Sequence, residues 1–123
     1  MDFAITAHSE RFDEQDRVWL KHEAELFAAL RERGIPLWSG NAFGSGDKGL
    51  PETIVMALTS AATLKSAVEC WKLWLERDRT RRMEITRTHD GVDESLTISG
   101  RDIEEGRFDR IVDEFAERFE KDL

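Results

Sequence analysis

The stretch with the clearest chemical possibility is Gly44-Ser45-Gly46-Asp47-Lys48-Gly49, which fits the spacing G-x-G-x-x-G and is followed by a helix signal. Backbone N–H groups on such a loop can cradle a phosphate, and a helix N-terminus behind it favours the negative charge. That arrangement needs a strand immediately before the first glycine, and glycines that themselves open the helix. Here an irregular segment precedes the motif, and Pro51 starts the expected helix after the last glycine. Residues 39–49, with four of the chain's eight glycines, therefore read as a flexible connector. A small-ligand or nucleotide site using Gly44, Gly46 and Lys48 stands as the alternative.

The other chemical candidates fall away on spacing. His22-Glu23-Ala24-Glu25-Leu26 begins like the zinc helix H-E-x-x-H, but Leu26 occupies the place of the second ligand. His89-Asp90 lies in an expected hairpin turn, where Asp and a following Gly serve the turn. No Gly-x-Ser-x-Gly elbow presents a serine nucleophile. Cys70 is the only cysteine, so neither an intramolecular disulfide nor a thiolate zinc cluster can form. It sits among apolar helix neighbours, where a thiol is usually inert. Glu104-Glu105 and Asp113-Glu114 fall on the polar side of the last helix, without the desolvated setting that acid–base work requires. No catalytic set, metal site or cofactor is implied.

The elements that would position these residues follow from periodicity. Phe3 and Ile5 alternate with polar residues as a strand. A helix to about Arg33 carries Trp19, Leu26, Phe27 and Leu30 on one face, and Gly34 stops it. Ile35-Pro36-Leu37-Trp38 reads as an edge strand. Pro51 is expected to open a helix reaching about Asp78; unbroken it would run roughly 40 Å, which favours either a break near Thr59-Ser60 or an overhang. Met83 and Ile85, then Leu96 and Ile98, form two strands joined at Asp90-Gly91. A last helix from about Ile103 to Lys121 carries Phe108, Ile111, Val112, Phe115 and Phe119. The expected fold is α+β: a small mixed sheet of about four short strands, in the order β-α-β-α-β-β-α, covered by helices.

Size and composition set the frame. A chain of 123 residues fits one domain, residues 1–123, and 40% hydrophobic residues support a packed core. A net charge of −8 repels phosphate backbones and disfavours nucleic acid as a partner. The start of the chain lacks the pattern of a secretory signal. The most apolar stretch, residues 54–75, carries Lys65, Glu69 and Lys72, which argues against a membrane span. With one cysteine, the expectation is a cytoplasmic protein.

One feature exceeds what a helix on a sheet requires. From Ala61 onward the long helix has two apolar stripes: Ala61, Leu64, Val68, Trp71 and Leu75, then Ala67, Cys70 and Trp74 with Leu73 beside them. At ~100° per residue the second lies about 100° or more from the first. It must meet another helix of this chain or a partner. Next to it six basic residues (Lys72, Arg77, Arg79, Arg81, Arg82, Arg87) stand against three acidic ones (Glu76, Asp78, Glu84). They serve either as a solvated helix end and turn or as a phosphate or acidic-partner site.

Leu50-Pro51-Glu52-Thr53-Ile54-Val55-Met56-Ala57-Leu58, Trp71-Lys72-Leu73-Trp74-Leu75-Glu76-Arg77, the basic stretch 79–82, Met83-Glu84-Ile85-Thr86 and Leu96-Thr97-Ile98-Ser99-Gly100 occur in an order that resembles the effector-associated constant component family of actinobacterial conflict systems. The resemblance covers about residues 50–115. It departs from the family in Ala61-Ala62-Thr63 and in its higher charge. It implies a small invariant partner of variable effector proteins such as peptidases, and carries over no catalytic residue. The leading expectation is a non-enzymatic adaptor or regulatory module in a bacterial defence system. It would partner an effector protein or another copy of itself, through Trp74, Leu73, Cys70, Arg79, Arg81 and Arg82. A ligand or nucleotide sensor is the runner-up and a small enzyme the weaker alternative. Trp74 carries the distinction. At an interface, Trp74→Glu leaves the chain folded and abolishes partner capture; inside the domain, it buries an unpaired charge and unfolds it.

Overall fold

The computed structural model describes residues 2–13, 15–39, 54–89 and 92–121. Its elements are β1 (Asp2–Ser9), α1 (Arg17–Glu32), β2 (Leu37–Ser39), β3 (Ile54–Ala57), α2 (Ala61–Glu76), β4 (Arg81–His89), β5 (Val92–Ser99), α3 (Gly100–Glu104) and α4 (Phe108–Lys121). The strands form one sheet in the order β2-β3-β1-β4-β5, and all four pairings are antiparallel. The first six elements, β-α-β-β-α-β with strand order 2-3-1-4, have the ferredoxin-like split β-α-β arrangement. The β4–β5 hairpin widens this sheet by one strand, and α3 and α4 close the chain.

The α+β class holds, with one strand more than expected. Ile54-Val55-Met56-Ala57 is not the first turn of a long helix but strand β3, inserted between β2 and β1. All of Ile54, Val55 and Met56 are buried, so the run shows no alternation and its period cannot distinguish strand from helix. The helix starts only at Ala61. Ser60 caps it, accepting from the Thr63 backbone N–H at 3.2 Å while the Thr63 hydroxyl accepts from the Ser60 N–H at 3.0 Å. Of the two alternatives, a break at Thr59-Ser60 or an overhang, neither describes the chain: Ser60 is the helix's true beginning.

Two further helix ends follow glycine chemistry. At Gly34 (φ 77) the N–H groups of Gly34 and Ile35 return to the carbonyls of Arg31 and Leu30, closing α1. The same motif at Gly106 (φ 75), with Arg107 donating to the Asp102 carbonyl at 2.8 Å, splits the expected last helix into α3 and α4.

In β1, β4 and β5 strand alternation gives one buried face. Phe3, Ile5 and Ala7 of β1, Met83 and Ile85 of β4, and Ile98 of β5 point under the helices, while Glu84 and Thr97 lie exposed on the other side. From α4, Phe115 and Phe119 reach Phe3, with ring centroids 5.5 and 5.7 Å apart. Phe108 and Val112 are buried with them, and Ile111 lies partly buried on the flank. The connector expectation falls mostly outside the described residues: Ser39 ends β2, and residues 40–49 are among those not described. Asp90 and Gly91 likewise lie outside them, although β4 and β5 remain in register up to His89 and Val92.

At Gly100 the chain passes close against the turn before β4. A Cβ there would stand 2.5 Å from the Arg79 Cα and 2.6 Å from the Asp78 carbonyl oxygen. These are backbone atoms, which cannot swing aside. Gly100→Ala is therefore expected to cost about 2–3 kcal/mol or more through overpacking, read as a lower midpoint in urea at unchanged slope. A variant as stable as the parent would remove this crossing as a constraint.

Candidate functional site

The second stripe of α2 meets α1. Trp74 is 3% exposed; its indole N–H donates to the His22 carbonyl at 2.9 Å, and its ring lies 5.8 Å from that of Trp19. Arg81 covers it from β4, with its guanidinium carbon 4.6 Å from the ring centroid and Nη1 donating to the Trp74 carbonyl at 2.8 Å. Ala67 and Cys70 are buried in the same seam. Trp74 and Cys70 are therefore buried rather than presented to solvent: α1 packs beside α2 and covers this stripe within the chain.

The basic group separates as well. In β4, Arg81 alternates inward with Met83 and Ile85, whereas Arg82 alternates outward with Glu84, and Arg79 stands exposed in the preceding turn. Arg81 is 4% exposed and belongs to the Trp74 packing rather than to a surface. Burial pushes its pKa down, Asp78 and Glu25 oppose that, and Arg77 adds to it. Arg79 and Arg82 are both exposed, Arg79 in the turn and Arg82 on the outer face of the start of β4.

Asp78 organises that turn. It accepts from the Thr80 hydroxyl at 2.6 Å and the Thr80 N–H at 2.9 Å, with Arg11 3.8 Å away. Burial by itself would raise its pKa. The Thr80 bonds, then Arg81 and Arg11, outweigh burial and hold the carboxyl below its ordinary value.

Above the buried seam, α1 and α2 part to leave a cleft of ≈ 200 Å³. Cys70, Trp74 and Ala29 contribute apolar surface to it, with Leu73 beside them. Leu73 is 55% exposed, the largest exposure among the exposed large apolar residues described. Ion pairs tie the two helices together along the cleft: Arg77 to Glu25 at 3.7 Å, and Arg33 to Glu69 at 3.1 Å. Arg33 also donates to the Ser66 carbonyl at 3.3 Å. Burial raises the Cys70 thiol above its ordinary value, against the opposing pull of Arg33 and Arg77. The thiol therefore stays protonated near neutrality and is a poor nucleophile. The cleft thus combines apolar surface from Ala29, Cys70, Leu73 and Trp74 with the charged side chains Glu25, Glu32, Arg33 and Arg77.

Among the described residues no group of three His, Cys, Asp or Glu side chains could hold a metal ion, and no helix is long and apolar enough to cross a membrane. Gly44, Gly46 and Lys48, the alternative ligand residues, lie outside the described residues. The part of the cleft that the sequence does not reveal is its α1 side, Glu25, Ala29, Glu32 and Arg33. Their spacing reads as an ordinary polar helix face, and only the packing of α2 against it reveals the cleft.

The family Effector Associated Constant Component 1 matches residues 14–116, which include α1, α2, all strands but β1, α3 and most of α4. The chain belongs to this family. No curated protein and no solved structure matches it. As an Effector Associated Constant Component 1 protein it agrees with the resemblance read from the residues of its second half, and the match extends that agreement back through α1.

Two outcomes test the packing. Trp74→Ala is expected to cost about 3–5 kcal/mol, the range for a buried aromatic, and Trp74→Glu to give no cooperative thermal transition; a folded Trp74→Glu protein would contradict the seam. Asp78→Asn tests the turn. Because the folded carboxyl is held below its unfolded value, ionised Asp78 stabilises the fold above that value, and the benefit disappears as pH falls through the folded one. The variant should be the weaker protein near neutrality, with the gap closing in acid. A gap independent of pH would rule out the charge as its source.

Proposed function

We propose that this protein is a non-enzymatic interaction module that binds an effector protein, with the α1–α2 cleft as the contact. The family name supports the kind of partner, since its members are described as constant components associated with effectors. The single observation that carries the location is Leu73. A leucine held more than half exposed beside apolar Cys70, Trp74 and Ala29, between ion-paired helices, has the form of an apolar anchor point with a polar rim.

Leu73 and the cleft are the part of the sequence-derived interaction group that reaches solvent together. Trp74 and Cys70 act from beneath, as the apolar floor on which an inserted side chain would rest. Arg79 and Arg82 supply positive charge elsewhere on an otherwise acidic chain and are secondary to the cleft. Placement in a bacterial defence system, inside the reducing cytoplasm, is the setting in which an effector-associated component with one buried thiol would work.

The test is Leu73→Glu, measured by calorimetric titration against the effector with which the chain is co-expressed. An anchor residue is expected to lose about 30-fold in affinity or more, corresponding to ~2 kcal/mol. Leu73 is exposed, so circular dichroism melting should stay close to the parent. Full affinity in a folded Leu73→Glu protein would move the contact away from the cleft.

A further inference from the structure

We infer that the free edge of β5 docks a second copy of this chain, joining two five-stranded sheets through an antiparallel β5–β5 pair. β4 pairs with β5 on one side, and no described strand pairs with it on the other. An open strand edge offers N–H and C=O groups at the spacing that another strand needs.

The two edges of the sheet differ in this respect. β2 has three residues, and Pro36, which has no N–H, stands just before it, so that edge is short and blunted. β5 has eight residues and no proline. Leu96 of β5 and Ile111 of α4 pack against the core but are only partly buried. With Ser95, Glu114 and Arg118 they line a hollow of ≈ 50 Å³ between strand and helix. An inward-pointing charge near an edge ordinarily deters pairing. Here Glu94 is held by Arg87, with Oε2 at 2.7 Å from Nη2 and 2.8 Å from Nε, so its charge is met within its own chain.

The pattern at this edge is self-complementary, which is why a second copy is the occupant. Glu114 and Arg118 are both exposed, one helical turn apart, on the flank of α4 that adjoins β5. A two-fold axis reverses the direction of α4, so Glu114 of each chain approaches the partner's Arg118. The strand agrees. Residues directly opposite in an antiparallel pair share a sheet face. Centring the pair on Leu96 sets Leu96 against its own copy, Ser95 against Thr97 and Asp93 against Ser99. The acidic pair Asp93-Glu94 then falls at opposite ends, whereas centring on either acid would oppose like charges. None of this uses the α1–α2 cleft, so a failure here leaves the effector-binding reading standing.

Light scattering and sedimentation of the full chain, from about 1 to about 100 μM, test it. The parent should approach twice the chain mass. Glu114→Arg places Arg beside the partner's Arg118 and should weaken dimerisation by about 10-fold or more. Adding Arg118→Glu to that variant should restore it. Both positions are exposed, and circular dichroism confirms the fold of each. Leu96→Cys supplies an independent arm: opposed Cα atoms at about 4.5–5.5 Å lie within disulfide reach, so oxidation should trap a covalent dimer. A parent that stays monomeric throughout, a dimer indifferent to Glu114→Arg, no recovery in the double variant, or no cross-link at position 96 overturns the interface.

Discussion

Helix α2 has to bury two faces at once, and much of the molecule is arranged around that demand. Leu64, Trp71 and Leu75 are buried on one stripe and Ala67, Cys70 and Trp74 on the other. Trp74 fixes how the second face is met. Its hydrogen bond to the His22 carbonyl sets the position of α1 along α2, and its ring contact with Trp19 sets the approach of the two helices. Arg81 closes the other side of the ring and links the packing to β4. One indole thus correlates both helical crossovers with a central strand, and the backbone crossing at Gly100 then fits α3 against the end of α2. Buried indoles with their N–H satisfied combine large apolar area with a directional contact, which is how a single side chain can specify alignment.

How far the sequence reveals this depends on whether a pattern has one interpretation. The stripe of α1 and the phenylalanine face of α4 have a clear period and one place to go. So do the two strands containing Met83–Ile85 and Leu96–Ile98. Ile54-Val55-Met56-Ala57 has no period, because strand β3 is buried on both sides, and the local preference for a helix after Pro51 misassigns it. Thr59-Ser60 stands out in the sequence only as a place where a long helix could break, and the cap that Ser60 forms with Thr63 is seen only in the structure. Trp74 was legible as half of a choice: a second stripe requires a cover, yet α1 and a partner are equally apolar candidates. Only the three-dimensional packing decides between them, and with it the cleft whose α1 wall looks unremarkable in one dimension.

The basic cluster shows a different limit. Counting charges between Lys72 and Arg87 suggests one positive surface. Strand geometry divides it, because neighbours in β4 face opposite sides of the sheet. Arg81 becomes part of the interior and Arg82 part of the outer face, while Arg87 is buried and bonded to Glu94. The remaining charges near the cleft act mostly in pairs between α1 and α2. Exposed pairs of this kind add little stability; their consequence is to keep the two helices registered around an apolar floor without filling it.

The architecture also keeps its two open surfaces apart. α2 contacts α1 on one side and α4 on the other, so the α1–α2 cleft and the β5–α4 edge are separated by packed helix. Occupation of one does not obstruct the other. A dimer closed through β5 would carry two copies of the cleft, fixed in orientation by the continuous sheet beneath them. If the cleft binds an effector as proposed, that geometry would convert a modest contact at Leu73 into a stronger bivalent one wherever the effector is itself paired, because the second contact would form at high effective concentration. A single anchor leucine in a small cleft would be a weak binding site alone, and on the proposed dimer rigid duplication would strengthen it without enlarging the contact.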